Sequence, residues 1–203
     1  MKSFQKLYDS NAWNNNCSNA TQPEKLTPTA KFYTNVIKDI IYKSPEIKNI
    51  LEIGCGNFSE IRFIDYIFEM GLINYTGVDI VKDNIVRNNL KNNKEFIKFK
   101  YLEDVFQVGF DLVIIKDVIQ HYNTDEAISM LEELIKNNKY VLCVNGYKFQ
   151  RDLTKNNWKE RILDKKYRYH PISSDKELKV FEEYEISKQT YKAKEYILYK
   201  LFD

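Results

Sequence analysis

Short apolar runs alternate with segments of helical periodicity along most of the chain. The apolar runs predict strands at 49–53, 75–80, 95–102, 110–115 and 140–144. Between them, apolar residues recur at helical spacing, which predicts helices beginning near Thr29 and covering 61–68, 82–92 and 124–137. Two further alternating segments, near 178–187 and 191–202, predict a final pair of strands with no helix between them.

This order of elements predicts an α/β fold with a doubly wound, mostly parallel, seven-stranded sheet. Strands that alternate with helices are joined by right-handed crossovers, so the connected strands run parallel. The segment 110–115 is the most continuously apolar, as expected of a central strand buried on both faces. The final pair of strands predicts a C-terminal antiparallel hairpin, whereas a dinucleotide-binding Rossmann domain would continue with another helix and strand.

Length and composition fit a single domain over residues 1–203, with a polar N-terminal arm at 1–28 and an insertion at 146–177 before the final hairpin. The chain carries 31 basic and 29 acidic residues, and this balance argues against nucleic acid as a partner. No apolar run reaches the length of a membrane span, about 18 residues, and the N-terminus lacks the pattern of a signal peptide. We therefore expect a cytoplasmic protein without a membrane partner, and its oligomeric state stays open.

Cysteine and histidine usage predicts no metal site. The three cysteines, Cys17, Cys55 and Cys143, have no CxxC spacing and are odd in number, which fits neither a disulfide framework nor a zinc centre. The two histidines, His121 and His170, are isolated from each other, and the acidic residues do not cluster around them.

A glycine turn follows the first predicted strand. Gly54-Cys55-Gly56 comes directly after this strand, and glycines there let the backbone turn tightly and approach a ligand without interference from Cβ. Asp79 closes the second predicted strand, about 20 residues further on, where an acid suits the two hydroxyls of an adenosine ribose. Together these features fit NAD, FAD or S-adenosylmethionine, although the glycines alone also fit a plain turn from strand to helix.

Three details favour S-adenosylmethionine among these cofactors. Glu52 precedes the glycines, within reach of a cationic amino group such as that of a methionine moiety. Ser59 stands where a GxGxxG motif has its third glycine, and no lysine follows the turn as it would in a P-loop. Glu103 or Asp104 closes the third predicted strand, where a carboxylate could accept a hydrogen bond from an adenine amino group.

The same segments resemble the class I S-adenosylmethionine-dependent methyltransferases. LEIGCG resembles the first motif of that family, YTGVDIV its second, and FDLVIIKDVIQHY the motif after its fourth strand, within residues 45–145. The chain is more similar to a bacterial subgroup with motifs approximating GCGDWQ, YTGIDVV and DLVICKDVLQHL, which read here GCGNFSE, YTGVDIV and DLVIIKDVIQHY. In that pattern an aromatic residue, here Phe58, replaces the more usual glycine. Some relatives of the subgroup are associated with capsule and other surface-glycan modification, including methylation of phosphoramidate groups.

The resemblance implies a Rossmann-like methyltransferase fold and a set of cofactor-binding residues. Glu52 and Gly54 would lie beside the methionine moiety, Asp79 would bind the ribose, and Ile80 would flank adenine. The full expected set is Glu52, Gly54, Cys55, Gly56, Asp79, Ile80, Glu103, Asp104, Val105 and Lys116. Trp13, Phe32 and Tyr33 are candidates for covering the cofactor, with hydrophobic packing of the helix as the alternative for Phe32.

The loop after the fourth strand is expected beside the transferable methyl group, and its catalytic candidates are Lys116, Asp117 and His121. His121 could act as a base near neutral pH, or it could simply shape the pocket. Asp117 could bind the acceptor, hydrogen-bond the histidine, or cap a helix over 118–122. Lys116 could neutralise an anionic acceptor or be a solvated lysine, and Gln120 is expected to bind substrate together with His121.

Arg168 and His170, within the insertion 146–177, are further substrate-binding candidates. Their Arg, Tyr and His surroundings suit a polar, anionic or sugar-like acceptor, with a basic aromatic surface loop as the alternative.

We therefore predict O- or N-methylation of a small-molecule or glycan-related acceptor, with surface polysaccharide modification as a candidate setting. RNA or protein methylation and a catalytically silent cofactor-binding subunit remain alternatives, although no Asn-Pro-Pro-Tyr-like segment and no Pro-Cys nucleophile is present. The terminal hairpin and the missing third glycine argue against a nicotinamide oxidoreductase.

Overall fold

The computed structural model describes residues 26–105, 108–146, 176–192 and 194–201. They belong to two compact units, Met1–Gln107 and Val108–Asp203. The predicted arm up to residue 25 and most of the predicted insertion, at 147–175, lie outside the described residues. A single domain over the whole chain stays a prediction.

The first unit is built on the parallel strands β1 (Asn49–Ile53), β2 (Asn74–Asp79) and β3 (Ile97–Tyr101). Its helices are α1 (Pro28–Lys43), α2 (Asp65–Gly71) and α3 (Lys82–Lys91), and short 3-10 turns cover Ile61–Ile64 and Leu102–Asp104. The register pairs Ile53 with Val78 and Asp79 with Tyr101. The carboxyl ends of the three strands therefore lie at one edge of the sheet.

The start of α1 follows from its local sequence. The side-chain oxygen of Thr27 accepts a hydrogen bond from the backbone N–H of Ala30 at 3.1 Å. Pro28 takes the first helical position, where no backbone N–H is needed for the helix. Tyr33, Ile37 and other residues at helical spacing are buried, so one face of α1 packs into the core of the first unit.

The second unit contains strands β4 (Leu112–Lys116), β5 (Tyr140–Gly146), β6 (Glu185–Tyr191) and β7 (Lys194–Lys200), helix α4 (Thr124–Asn137), and 3-10 turns at Ile119–His121 and Lys179–Tyr184. β4 and β5 are parallel, whereas β7 runs antiparallel to both β5 and β6. Helix α4 begins with a capping box, in which Asn123 and Glu126 each accept a hydrogen bond from the backbone N–H of the other.

The strand order of the seven-stranded sheet is β3-β2-β1-β4-β5-β7-β6. This mostly parallel arrangement with a C-terminal antiparallel hairpin confirms the predicted α/β fold class. None of the described helices is long and apolar enough to cross a membrane.

Two predicted elements are wrong in position or type. The strand predicted near 178–187 begins only at Glu185, because the preceding residues form a 3-10 turn. Leu178 and Phe181 are both buried at the three-residue spacing that suits such a turn, and the apolar pattern there is not that of a strand. The helix predicted over 61–68 is divided into the 3-10 turn Ile61–Ile64 and helix α2, which begins at Asp65.

Candidate functional site

The glycine turn after β1 has the backbone conformation that its glycines allow. Gly54 has φ 77° and Gly56 has φ 53°, in the left-handed region where a side chain is disfavoured. The backbone N–H groups of Gly54 and Cys55 donate to the carbonyl of Val78 at 2.8 and 3.0 Å, which ties the turn to β2. A Cβ at Gly56 would meet no heavy atom within 4 Å, so the turn faces open space in which a ligand could lie against the backbone.

Phe58 also lies in the left-handed region, with φ 58°. Glycine adopts this backbone conformation more readily than a residue with a side chain does. The Phe58 ring is buried, with its centroid 5.3 Å from that of Tyr75 and 5.0 Å from that of Phe99. This aromatic cluster compensates for a strained backbone, since such ring pairs add to the free energy of burial.

Asp79 joins the glycine turn to the end of β2. Its Oδ2 accepts a hydrogen bond from the N–H of Gly56 at 2.9 Å, and its Oδ1 accepts one from the N–H of Val81 at 2.7 Å. The residue is 6% exposed. Burial raises the pKa of the Asp79 carboxyl, and the backbone N–H groups of Val81, Gly56 and Ile80 offset part of that rise. The side chain of Asn88 also donates to the carbonyl of Gly56 at 2.9 Å, so the turn is held from both sides.

The Glu52 carboxylate accepts hydrogen bonds from two tyrosine side chains, which its position in the sequence does not indicate. It is 5% exposed, and the hydroxyl of Tyr33 donates to its Oε1 at 2.7 Å. The hydroxyl of Tyr75 donates to its Oε2. Burial, followed by the charge of Glu52, raises the pKa of Tyr75, so this phenol stays protonated as a donor. Tyr33 comes from α1 and Tyr75 from β2, and no role for Tyr75 was predicted from the sequence.

The remaining predicted cofactor residues of the first unit differ in exposure. Cys55 is buried, and burial, Asp79 and Glu52, in that order, raise the pKa of its thiol, so it is not a nucleophile at neutral pH. Glu103 is exposed and forms an ion pair with Lys82 at 3.6 Å, while Asp104 is exposed in the same 3-10 turn. Ile80 and Val105 are half-buried. Neither acid is distinguished as the partner of adenine.

A cavity of about 610 Å³ lies in the first unit beside the glycine turn. It shares Phe58 and Asn88 with the surroundings of the glycine turn, and its other lining residues are basic, acidic, amide and aromatic. They are Arg62, Phe63, Asp65, Lys91, Asn92, Asn93 and Lys94.

The second unit brings Asp117 together with two lysines. Lys116 Nζ lies 3.0 Å from Asp117 Oδ2, and Lys194 Nζ, from the start of β7, donates to the same oxygen. Asp117 itself has φ 57°, a conformation that Asp tolerates better than most residues. The predicted cap of a helix over 118–122 is wrong. Only the 3-10 turn Ile119–His121 forms there, its first flanking residue is Val118, and the lysines attract the Asp117 carboxylate instead.

Gln120 and His121 occupy this 3-10 turn. The side chain of Gln120 is buried and donates to the backbone carbonyl of Asp117 at 3.4 Å. His121 is half-buried, and the hydrogen bonds described for the Asp117 carboxylate go to lysines and not to this histidine. Arg168 and His170 lie outside the described residues.

The described residues offer no group of three or more His, Cys, Asp or Glu side chains that could hold a metal ion. The residues of the first unit do fit the adenosine part of a cofactor, because the open face of Gly56 adjoins a carboxylate that suits a ribose diol.

Comparison with known proteins shows that the chain shares its fold with solved methyltransferase structures. Neither a family model nor a curated protein sequence matches the chain. A SAM-dependent methyltransferase from Anabaena variabilis ATCC 29413 is 10% identical, with a TM-score of 0.68 over 98% of this chain and 93% of that chain. The N-methyltransferase NodS from Bradyrhizobium japonicum WM9, in complex with S-adenosyl-l-homocysteine, is 13% identical, with a TM-score of 0.61 over 97% of each chain.

The 16S rRNA methylase ArmA is 15% identical, with a TM-score of 0.53 over 99% of this chain and 97% of that chain. What the chain shares with these proteins is the fold. At such identities the fold is common to methyltransferases with different acceptors, and the likeness to one bacterial subgroup stays a prediction.

Proposed function

We propose that the chain binds S-adenosylmethionine and transfers its methyl group to a small-molecule or glycan-related acceptor, by O- or N-methylation. The observation that carries the proposal is the Asp79 carboxylate, which lies at the end of β2 against the open face of the glycine turn. Its two oxygens accept backbone N–H groups, and a carboxylate has about four acceptor positions in all. Acceptor capacity that the backbone does not use is suited to the hydroxyls of a ribose.

Residues of the first unit would hold the cofactor. Gly54 and Gly56 would let its methionine part lie close to the backbone, and Asp79 would fix the ribose. Glu52 would attract the amino group of the methionine part through the negative charge of its carboxylate, which the two tyrosines hold in place. When bound, S-adenosylmethionine supplies a methyl group on a sulfonium centre that is reactive without a metal. Lys116, Asp117, Gln120 and His121 are the proposed acceptor-side residues, with His121 as candidate base.

The preference for a small or glycan-related acceptor rests on the sequence. The near balance of 31 basic and 29 acidic residues gives the chain no overall attraction for a polyanion. The motif resemblance to the subgroup associated with surface glycans points in the same direction, as do the predicted contacts of Arg168 and His170.

Isothermal titration with S-adenosylhomocysteine tests cofactor binding. Asp79→Ala removes two charge-assisted hydrogen bonds to ribose, at about 1.5 kcal/mol or more each, so we expect its affinity to fall by about a hundredfold or more. Gly56→Ala places a methyl group in the open space and is expected to weaken binding as well. Asp125→Asn, at an exposed position of α4, is the matched control and should bind like the wild type. Tighter binding of NAD than of S-adenosylhomocysteine would contradict the proposal.

Transfer of a labelled methyl group to candidate acceptors tests the second half of the proposal. Hydroxyl- and amine-bearing sugars and their phosphorylated forms should accept the label, and His121→Ala should lower turnover while leaving cofactor affinity unchanged. Label found in RNA or protein but not in these sugars would contradict the small-molecule or glycan acceptor and favour RNA or protein as the acceptor. Cofactor binding without transfer to any acceptor would favour the catalytically silent subunit.

A further inference from the structure

Asp117 is held with one carboxylate oxygen engaged and the other available. Lys116 and Lys194 both approach Oδ2, whereas Oδ1 receives no hydrogen bond from any residue that the structure describes. The side chain as a whole is 30% exposed. Because both lysines bind the same oxygen, the carboxylate cannot rotate freely about its Cβ–Cγ bond without losing an ion pair.

The backbone of Asp117 is fixed as well. Its N–H donates to the carbonyl of Val144 on β5 at 2.9 Å, and its carbonyl accepts the side-chain amide of Gln120 at 3.4 Å. The left-handed φ of 57° turns the chain sharply at the end of β4. Contacts from β5, from the 3-10 turn Ile119–His121 and from the start of β7 therefore favour a single orientation of the carboxylate.

The chemistry of this carboxylate is that of a hydrogen-bond acceptor. Burial alone would raise the pKa of the Asp117 carboxyl, but Lys116 and Lys194 outweigh that effect and lower it well below its usual value. A carboxylate so stabilised is a weak proton acceptor, since efficient general bases have pKa values near the working pH. It accepts a hydrogen bond from a hydroxyl or an amino group well, because a charged acceptor strengthens such a bond.

We propose that Lys194 is a positioning residue that holds Asp117 so that Oδ1 binds a hydroxyl or amino group of the acceptor. This inference rests on the proposed function, because the bound molecule is a methyl acceptor only if that function holds. It adds two points to that function. It assigns acceptor binding, and not proton removal, to Asp117, and it restricts the acceptors to molecules with an O–H or N–H donor. No role for Lys194 was predicted from the sequence.

The 13Cγ resonance of Asp117 reports directly on this site. It is identified in the full-length protein by its absence in Asp117→Asn. The probes are methyl α-D-glucopyranoside, which has hydroxyl donors, and its fully O-methylated derivative, which has none. We expect the first probe to shift the resonance in a saturable manner and the second to leave it in place. An equal response to both probes, or a response to neither, would overturn the proposal.

Variants at position 194 test the positioning role. Lys194→Arg keeps a cation beside Oδ2 and should retain the probe response, whereas Lys194→Met and Lys194→Gln should lose it. Lys192→Met, at an exposed position just before β7, is the matched control and should respond like the wild type. Retention of the full response in a folded Lys194→Met or Lys194→Gln protein would contradict the role of Lys194. Should both fail to fold, loss of the response in folded Lys194→Arg would contradict it equally.

The two proposals can fail separately. Titration with S-adenosylhomocysteine measures cofactor binding in the same preparations, and the probe response is recorded with and without this ligand. A chain that does not bind S-adenosylhomocysteine but shows the donor-dependent shift would refute the proposed function and leave the Asp117 site in place.

Discussion

The hydroxyl of Tyr33 on α1 donates a hydrogen bond to Oε1 of Glu52 on β1, with an oxygen–oxygen distance of 2.7 Å. Both residues are buried, and the second carboxylate oxygen of Glu52 accepts the hydroxyl of Tyr75. A charged group inside a core is tolerated when hydrogen bonds replace its hydration. Glu52 therefore has a structural role, joining α1 to the sheet of the first unit, in addition to any contact with a cofactor.

We expect Tyr33→Phe to lower the free energy of unfolding, because it leaves one oxygen of a buried carboxylate without its donor. The expected loss is about 1–3 kcal/mol, measured by urea denaturation at neutral pH. Tyr42→Phe removes a hydroxyl from the same helix at a side chain that is 69% exposed, so it should have no effect. Equal stability of Tyr33→Phe and Tyr42→Phe would show that the buried bond contributes nothing.

Gly77 is required by packing, and we expect Gly77→Ala to destabilise the protein. A Cβ at this position would lie 3.0 Å from both Cβ and Sγ of Cys55 and 3.0 Å from Cδ1 of Phe99. Because the glycine turn stands directly against the strand, relief would require the turn or β2 to move. Overpacking of this kind costs about 1–3 kcal/mol, again measured by urea denaturation.

Gly71→Ala provides the control for this change. Its Cβ would meet Cδ1 of Ile73 at 3.0 Å and Cγ1 at 3.2 Å, both in one flexible side chain, whereas the Cβ of Cys55 at Gly77 is fixed to the backbone. We expect a smaller loss of stability than for Gly77→Ala, because a side chain can adjust more easily than an atom attached to the backbone. A loss as large as that of Gly77→Ala would contradict this explanation.

At Phe58 the strain of the backbone competes with the burial of the ring. A left-handed conformation costs a non-glycine residue about 1–2 kcal/mol, whereas loss of a buried phenylalanine costs about 3–5 kcal/mol. Phe58→Gly should therefore be destabilising, by about 2 kcal/mol. Leu72→Gly is the matched comparison, since Leu72 has φ 53° but an exposed side chain, and it should be neutral or stabilising in the same measurement. Stabilisation by Phe58→Gly would show that strain outweighs packing there.

The strand ends could be predicted because each has a strong local pattern. Gly54 and Gly56 follow an apolar run, and Asp79 ends the next one, so the sequence alone placed them at one edge of a parallel sheet. The resemblance to the bacterial subgroup implied Phe58 in place of a glycine, and this stays a prediction; the φ of 58° at Phe58 lies in the region that glycine favours.

The contacts between segments that are distant in the sequence could not be predicted, because no local sequence pattern indicates them. Tyr75 looks like any aromatic residue at the start of a strand, and its bond to Glu52 depends on the register of β1 and β2. Lys194 is one of many lysines, and it meets Asp117 because β7 runs antiparallel to β5 and begins opposite Gly146. Periodicity in the sequence does not determine such registers, since they depend on the packing of the whole sheet.

The pH dependence of stability should reveal the ion pairs of Asp117. Its pKa is lowered in the folded protein, so the carboxylate stabilises the fold above its unfolded pKa, about 3.9. That contribution is lost as the pH falls from this value through the folded pKa. Asn also tolerates the left-handed conformation, so Asp117→Asn removes the charge and leaves the backbone unstrained.

We therefore expect Asp117→Asn to be less stable than the wild type at neutral pH, and the difference to shrink below about pH 4. The measurement is urea denaturation of both proteins over a range of pH values. Comparing the two is necessary because the pKa of Asp79 is raised, so that group contributes with the opposite sign and cancels only in the difference. Cys143, also near Asp117, has its pKa raised to about 12 by burial, followed by Glu195 and Asp117, and it stays neutral throughout the acid range. A difference that does not change with pH would mean that the two lysines stabilise Asp117 no better than water does.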